Sequence, residues 1–355
     1  MASLYRKQTC NGLRCRGISY RNYRHVNTRF KNLWRPWNFH YHRFLSKPNN
    51  CFEGWYFKIV DASGENPYAI IPGIFMGAED RHAFIQVLDG SNGTSWYHRY
   101  DADRFVPDKE AFDVMVGGTR FHSQGIAFDI QKDEQKLTGE IMLGPWSTWP
   151  VTTLSPGVMG PFSFIPFMEC FHGILSMDHE VSGEIEVDGK TINFDGGRGY
   201  MEKDWGRGFP EGYVWTQSNR FDRPGISVSA SVAKIPFLGT AFRGFLVAIL
   251  VDDTLHRFTT YNGGVIESLK LTETHLEIAI RNRTHRLEIH SEKTAGALLM
   301  APYDKQMLER VAETMTSTVD VRFTELKSGA LIYEGSGSNG CLEVQGNLSF
   351  IADNV

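Results

Sequence analysis

The fold is indicated first by Cys51-Phe-Glu-Gly-Trp-Tyr-Phe-Lys-Ile-Val60, a stretch rich in aromatic and β-branched residues. The turn residues Ser63-Gly-Glu-Asn66 follow it, and a second apolar run extends from Tyr68 to Met76. Residues that suit a half-buried pleated surface and are bounded by turn residues predict strands. Asn92-Gly93 marks another hairpin, because this dipeptide readily adopts positive φ at both central positions of a tight turn. The folded region is therefore predicted to begin as an antiparallel sheet.

The same pattern recurs along most of the chain. Ser182–Phe194 contains two alternating runs around Asp188-Gly189, which predicts a further hairpin. Lys305–Thr314 departs from the pattern, because its apolar residues have helical spacing and predict one short C-terminal helix. The Pro-rich, aromatic segment 145–166 is predicted to be irregular, as a lid or a divider between two halves. With roughly fifteen to twenty strands, the chain is predicted to be all-β, a barrel or sandwich in two units of similar size.

Charge is distributed unevenly along the 355 residues. The net charge is −4, yet residues 1–50 carry eleven Lys or Arg and no Asp or Glu, so the remainder is acidic. An acidic body excludes nucleic acid as the main partner, since phosphate binding needs a basic face. The basic N-terminus fits a presequence for a plastid or mitochondrion. The alternative is a basic tail that makes peripheral contact with anionic lipid, on a membrane or a lipid droplet.

The cysteines and the hydropathy pattern limit the location. The five cysteines are scattered and include no Cys-x-x-Cys pair, which argues against a zinc site or a disulfide framework and favours a reducing compartment. No apolar run approaches the ~20 residues that span a bilayer. The N-terminus also lacks the compact apolar stretch of a secretory signal. We therefore expect a cytoplasmic or organellar protein that is not secreted.

The densest group of polar and aromatic residues is Gly196-Gly-Arg-Gly-Tyr-Met-Glu-Lys-Asp-Trp-Gly-Arg-Gly208. On an extended strand, Glu202 and Asp204 lie on one face, and Lys203 and Trp205 lie on the other. Two neighbouring carboxylates in a dry site raise each other's pKa, so that a protonated acid is available near neutral pH. The alternative is a solvated hairpin whose acids are neutralised by basic neighbours, and residue types alone favour that alternative.

Three other polar residues have two interpretations each. His172 and His179, with a carboxylate between them, form either a pair that orients substrate hydroxyls or hydrogen-bonded structural groups. Glu53 lies on the first strand and is either a second acid or the buried partner of Arg198 or Lys203. The residue pattern does not decide between these roles.

Four motifs together resemble the tocopherol cyclase family. Phe52-Glu-Gly-Trp-Tyr-Phe-Lys58 and Gly197-Arg-Gly-Tyr-Met-Glu-Lys-Asp-Trp-Gly206 resemble its paired signatures. His172-Gly-Ile-Leu-Ser-Met-Asp-His179 and Trp215-Thr-Gln-Ser-Asn219 fit the same family in order and spacing.

This resemblance implies a fold and domain borders. It covers the chain from about Phe39 to Gly346. More distantly, the family is similar to carotenoid hydratases and to lipocalin-like calycin proteins. The resemblance implies two lipocalin-like antiparallel β-barrel or sandwich domains that enclose a lipid-sized cavity. We assign them to residues 36–175 and 176–355, with residues 1–35 as a basic extension or presequence.

The resemblance also implies an enzyme that forms a chromanol ring from a prenylated hydroquinone, a hydrophobic small molecule. The alkene of the prenyl tail is protonated to a tertiary carbocation, and the phenol oxygen closes on it. Asp204, or Glu202, would donate the proton. The residues expected to bind the substrate are aromatic or polar: Trp205, Trp215, Tyr213, Asn219, Glu53, Trp55, His172 and His179. A desolvated cation gains ~2 kcal/mol or more from an aromatic face, and no metal or redox cofactor is required.

Two other functions remain open from the sequence. A hydratase-type enzyme would protonate an isoprenoid or carotenoid alkene with the same acid and then add water. A non-catalytic carrier would keep the cavity for a hydrophobic ligand without the acid chemistry. The presence of Glu202, Asp204, Trp205 and Trp215 favours catalysis over the carrier.

Overall fold

The computed structural model describes residues 38–43, 50–109, 111–132, 134–165, 168–303 and 305–354. Within these ranges the chain forms 22 strands, with 3-10 turns at Ala102–Arg104 and Gly160–Phe164. No helix in these ranges is long and apolar enough to cross a bilayer. The predicted basic extension, residues 1–35, lies outside the described residues, so its role as a presequence stays a prediction.

The strands form two antiparallel sheets. The first sheet contains twelve strands: β1 (Cys51–Val60), β2 (Pro67–Met76), β3 (Arg81–Asp89), β4 (Thr94–Asp101), β5 (Phe105–Pro107), β6 (Asp113–Val116), β7 (Thr119–His122), β8 (Gly125–Lys132), β9 (Gln135–Leu143), β10 (Cys170–Val187), β11 (Lys190–Asn193) and β12 (Gly197–Gly206). The second contains ten: β13 (Gly212–Ser218), β14 (Ser227–Phe237), β15 (Thr240–Val251), β16 (Thr254–Thr259), β17 (Val265–Leu271), β18 (His275–Arg281), β19 (His285–Glu292), β20 (Ala297–Tyr303), β21 (Gln306–Glu325) and β22 (Leu331–Gly346).

The two sheets repeat one connectivity. In the first sheet β1 pairs with both β2 and β12, and the edge strands β4 and β5 follow each other in sequence. In the second sheet β13 pairs with both β14 and β22, and the edge strands are β16 and β17. Each sheet also carries one extra hairpin strand, β11 on β10 and β20 on β21. The prediction of an all-β chain built as two β units is therefore confirmed.

The border between the sheets differs from the predicted one. Residues 207–211 connect them, whereas the predicted border between residues 175 and 176 falls inside β10. β10 has 18 residues and pairs with β9, β11 and β12, so the hairpin that was assigned to the second domain completes the first sheet.

The predicted C-terminal helix is wrong, because Lys305–Thr314 belongs to the hairpin of β20 and β21. Lys305 occupies the turn with a φ of 67°. The pairing register shifts so that Arg310 is an extra residue in β21, and the local alternation of faces is interrupted. Met307 and Val311 are consequently both buried while the residues between them are more exposed, which produces helix-like spacing in a strand.

The central strands of both sheets are covered on both faces. Every residue of β1 except Gly54 is buried, and β13 is buried throughout. Apolar side chains pack on one face of each sheet and also fill the space between the two sheets. Some charged residues on the central strands are therefore buried too, among them Glu53 of β1 and Lys203 of β12.

Candidate active site

A largely apolar cavity lies between the two sheets. One wall comes from β1–β3, β10 and β12, and the other from β13–β15 and β20–β22. The empty space, counted out to the solvent, is about 1330 Å³. The predicted lid segment 145–166 borders this cavity through Met159 and Phe162, and Tyr261 of the second sheet's side donates a hydrogen bond to the Val158 carbonyl at 2.6 Å. A cavity of this kind suits a hydrophobic ligand with a small polar part.

Three polar side chains meet on the first wall. β10 and β12 pair so that His172 lies directly opposite Asp204, and Ile174 lies opposite Glu202. His172 Nδ1 is 3.0 Å from Asp204 Oδ1, and His172 Nε2 is 3.8 Å from Glu202 Oε2. Tyr200 donates a hydrogen bond to Glu202 Oε2 at 2.5 Å. Strand alternation thus directs both predicted acids into the cavity and brings His172 to them.

Burial and neighbouring charges set the protonation of this group. Burial raises the pKa of Glu202 to about 8, and the charge of Asp204 acts in the same direction, against the lowering by His172 and the Tyr200 hydroxyl. Burial lowers the pKa of His172, but the carboxylates of Glu202 and Asp204 outweigh it and raise the pKa to about 9. At neutral pH the group therefore holds an imidazolium at His172 next to a neutral Glu202.

The same three residues also offer a set of ligand atoms that could hold a metal ion. One ligand atom each from His172, Glu202 and Asp204 lies within 4.8 Å of the others. Imidazole and carboxylate oxygens are ligands for several divalent ions. The sequence-based expectation that no metal is needed therefore stays a prediction, and a chelator tests it.

The opposite wall carries acids that the sequence analysis missed. Glu313 of β21 and Glu343 of β22 are direct cross-strand partners and both line the cavity. Tyr56 donates a hydrogen bond to Glu313 Oε1, and Tyr213 donates one to Glu343 Oε2 at 2.6 Å. Trp215 lies opposite Glu343 on the other neighbouring strand and also lines the cavity. Only the strand register brings these residues together, and no sequence motif signals it.

Two buried donors on the cavity wall have no hydrogen-bond partner among the described residues. They are the indole Nε1 of Trp215 and Nε2 of His172. A buried polar group without a partner costs about 1–3 kcal/mol, so both atoms favour a ligand that carries oxygen. Both are on residues that the sequence analysis expected to contact the substrate.

The other face of β12 has a different role. Lys203 is fully buried, and its Nζ lies 2.5 Å from Glu53 Oε1. The ammonium lies over the rings of Trp55 and Trp205, 4.5 and 5.0 Å from their centroids. Burial raises the pKa of Glu53, but Lys203 and a nearby histidine outweigh it and lower the pKa to about 2. Of the two interpretations, Glu53 is the buried partner of Lys203.

Trp55, Trp205 and Glu53 therefore lie off the cavity, contrary to their expected place at the substrate. Both tryptophans contact the ammonium of Lys203, and the guanidinium of Arg43 also lies over Trp205. Trp205 also stacks on Phe171, with 5.5 Å between the ring centroids. The reason is the alternation of a strand, which separates these side chains from Glu202 and Asp204.

His179 and Asn219 also lie outside the cavity lining. Burial lowers the pKa of His179 to about 3, so this histidine is neutral and structural. Asn219 Nδ2 donates hydrogen bonds to Asp178 Oδ1 at 3.1 Å and to the Gly199 carbonyl at 2.8 Å. Asp178 forms an ion pair with Arg198. The histidine–carboxylate pair at the cavity is therefore His172 with Asp204.

Comparisons with known proteins agree with this architecture. A family model described as tocopherol cyclase-like matches residues 112–346. The chain is 24% identical over 365 residues to a probable chloroplastic tocopherol cyclase of Oryza sativa subsp. japonica, covering 83% of this chain and 75% of the relative. It is 27% identical over 356 residues to the chloroplastic tocopherol cyclase of Zea mays, covering 83% of this chain and 74% of the relative.

Two solved structures share the fold. CghA in complex with Sch210972 has a TM-score of 0.53 at 12% identity, covering 84% of this chain and 89% of that chain. Kievitone hydratase from Nectria haematococca has a TM-score of 0.50 at 13% identity, covering 83% and 89%. The all-β architecture of two antiparallel sheets is confirmed. The chain belongs to the tocopherol cyclase-like family.

Proposed function

We propose that this protein closes a chromanol ring on a prenylated hydroquinone by acid catalysis. The observation that carries the proposal is the group His172, Glu202 and Asp204 in the wall of a largely apolar cavity. Family membership and the names of the two plant relatives support a cyclase. The apolar walls suit a prenyl tail, and the partnerless donors suit an oxygen-bearing ring.

Asp204 delivers to the alkene of the tail a proton that it receives from Glu202. Protonating an alkene requires a strong acid, and an imidazolium next to a carboxylic acid strengthens it by stabilising the carboxylate that remains. His172 is this imidazolium, because its Nδ1 lies 3.0 Å from Asp204 Oδ1. Glu202 is neutral at pH 7 because of its burial, so it holds the proton that recharges Asp204.

The opposite wall stabilises the tertiary carbocation and excludes water. Trp215 and Tyr213 line the cavity there, and Tyr56 of the first wall packs against Trp215 with 5.5 Å between the ring centroids. A desolvated cation gains about 2 kcal/mol from such a ring face. Water in the cavity would capture the cation and give a tertiary alcohol, so the apolar lining directs the reaction to ring closure.

The test incubates purified protein with prenylated hydroquinones and identifies the products by mass and chromatography. Ring closure gives a less polar product of unchanged mass, hydration adds one water, and a carrier binds without turnover. Asp204→Asn is expected to lower kcat by about 10²- to 10⁴-fold while ligand binding is retained. Asp252→Asn is the matched control, because Asp252 is an exposed turn residue paired with Arg223.

Two outcomes would contradict parts of the proposal. Wild-type turnover in Asp204→Asn would remove Asp204 from the acid role. Turnover that is lost on chelation and restored by a divalent ion would reassign His172, Glu202 and Asp204 to a metal site.

The basic N-terminus leads to a proposal about location. The names of both plant relatives describe them as chloroplastic. Residues 1–50 of this chain carry no acidic residue. We infer that residues 1–35 direct the protein to a plastid-type organelle, and fusing them to a fluorescent protein tests this, since a diffuse cytosolic signal would contradict it.

A further inference from the structure

The acid pair on the second wall has no role in the protonation step described above. Glu313 and Glu343 lie directly opposite each other on adjacent strands, and both line the cavity. Each accepts a hydrogen bond from a phenol, Glu313 from Tyr56 and Glu343 from Tyr213 at 2.6 Å. Like charges placed directly opposite on a sheet are destabilising, so this arrangement needs a reason beyond the fold.

We propose that Glu343 is the catalytic base that accepts the phenol proton when the ring closes. This inference rests on the proposed cyclisation and names the second half of its proton balance. Glu313, fully buried behind the phenol of Tyr56, holds the proton that keeps the pair at a single negative charge.

The groups that face Glu343 determine whether it can act as a base. Burial raises its pKa to about 7, the Tyr213 hydroxyl opposes that rise, and the charge of Asp204 supports it. Glu313 and His172 also act on it, and both lower its pKa. Burial and the charge of Glu343 raise the pKa of Glu313 well above its ordinary value, so Glu313 is the neutral member. Of the two acids, Glu343 is therefore the one that can take up a proton near neutral pH.

The bonds and protons balance without an oxidant, a reductant or a co-reactant. Asp204 gives one proton to the alkene, whose π electrons form the new C–H bond and leave a tertiary cation. A lone pair of the phenol oxygen forms the C–O bond, the O–H bond breaks, and its proton passes to Glu343. Glu343 then releases one proton to solvent, and the pair Glu202 and Asp204 takes one up. The substrate is isomerised, and its composition does not change.

Deuterium labelling separates the two halves of the reaction. In D₂O, protonation of the alkene places deuterium on the tail whether or not the ring closes. Glu343→Gln is expected to continue to label recovered or isomerised alkene, while chromanol formation falls by about 10²-fold or more. Asp204→Asn is expected to lose both signals. Glu334→Gln is the matched control, because Glu334 is an exposed residue of the same strand that pairs with Arg322.

The pH profile provides a readout that a purely structural role would not move. Ring closure should rise with pH through about 7 as Glu343 loses its proton. Tyr213→Phe removes a hydrogen bond that lowers the pKa of Glu343. The rise of ring closure with pH should therefore shift to higher pH while the chain stays folded. Tyr213→Phe also keeps the test valid if Glu343→Gln does not fold.

Three results would overturn the inference. Ring closure at the wild-type rate in Glu343→Gln would show that Glu343 is not the base. An unchanged rise of ring closure with pH in folded Tyr213→Phe would show the same. Either result leaves the proposed function standing. Wild-type protein that neither labels nor cyclises any prenylated hydroquinone overturns the proposed function together with its base.

Discussion

At the scale of single residues, one strand separates two kinds of chemistry. Glu202 and Asp204 face the cavity, while Lys203 points the other way and is neutralised by Glu53 at 2.5 Å. If Lys203 had paired with Glu202 instead, the acid would be held as a carboxylate and could not carry a proton at neutral pH. The buried ion pair behind β12 therefore leaves the protons on the cavity side to His172 and the two acids.

Glu202 is expected to set the alkaline limit of activity. Its pKa is raised to about 8 by burial, so its proton is present below that pH and is lost above it. Turnover should therefore decline as pH rises through about 8. Glu202→Gln cannot supply the proton, and we expect kcat to fall by about 100-fold and the decline near pH 8 to disappear. A pH series of kcat for both proteins measures this, and an unchanged decline in Glu202→Gln would assign the limit to another group.

The ion pair of Glu53 and Lys203 is expected to act on stability. Removing one partner of a buried pair leaves an uncompensated charge, so Lys203→Met should lower the free energy of unfolding by about 3–5 kcal/mol. The double variant Glu53→Gln with Lys203→Met should recover part of that loss. Because the pKa of Glu53 is lowered from 4.5 to about 2, its contribution is present above pH 4.5 and is lost as pH falls towards 2. Urea unfolding measures the free energy of unfolding of the two single variants and the double variant. If the loss in the double variant equals the sum of the two single losses, Glu53 and Lys203 are not coupled.

Residue patterns could predict only part of the site. The period of two along a strand correctly separated Glu202 and Asp204 from Lys203 and Trp205. It could not say which residues would lie across the cavity, because that depends on contacts between sheets. Trp215 and Trp205 look alike in the sequence, yet only Trp215 reaches the cavity.

At the scale of elements, strand register carries the information that the sequence does not display. Glu313 was predicted to lie in a helix, because one extra residue in β21 gives helical spacing to its apolar residues. In the structure the same strand places Glu313 opposite Glu343 and next to the phenol of Tyr56. Turn residues and β-branched runs predicted that strands exist. The incorrect helix prediction, however, gave no indication that Glu313 and Glu343 pair.

The pairing of β1 with β2 offers an element-scale test. Gly54 and Gly73 are direct cross-strand partners. A Cβ at Gly73 would lie 2.6 Å from the Glu53 carbonyl oxygen, whereas the nearest atom to a Cβ at Gly54 is 3.6 Å away. Gly73→Ala should therefore destabilise the protein by about 1–3 kcal/mol through overpacking. Gly54→Ala should fold normally and raise KM, because Gly54 lines the cavity.

Chemical denaturation and steady-state kinetics of the two glycine variants distinguish these effects. Equal stability of Gly54→Ala and Gly73→Ala would show that the close backbone approach of β1 and β2 is not a constraint. An unchanged KM in Gly54→Ala would place the substrate away from this wall.

At the scale of the whole molecule, the cavity exists because the same β unit is used twice. Each unit has a first strand that pairs with its last, β1 with β12 and β13 with β22, and these central strands face the shared space. Acids from the first unit and acids from the second therefore line one cavity. Two β units could be predicted from the sequence, but their border could not, since the long strand β10 follows the Pro-rich segment and still pairs within the first sheet.

Truncation tests where the folded unit begins. Residues 36–355 form one compact unit, and the described contacts begin with residues 38–43. Lys203 Nζ donates hydrogen bonds to the carbonyl oxygens of Phe39 at 2.9 Å and Tyr41 at 2.6 Å. Removing residues 1–35 should therefore leave unfolding free energy and turnover unchanged. Removing residues 1–43 deprives a buried ammonium of two acceptors, each worth about 1.5–3 kcal/mol, and should destabilise the protein by several times the experimental error.

The matched control for the longer truncation is the same deletion in Lys203→Met. If the loss arises from the ammonium, the deletion should cost much less in that background, because no buried charge is left without acceptors. Equal losses in both backgrounds would mean that residues 38–43 stabilise the first sheet by apolar packing, where Phe39 stacks on Trp205 at 6.5 Å between centroids. A loss of stability on removing residues 1–35 alone would instead make that basic segment part of the folded unit and argue against a cleaved presequence.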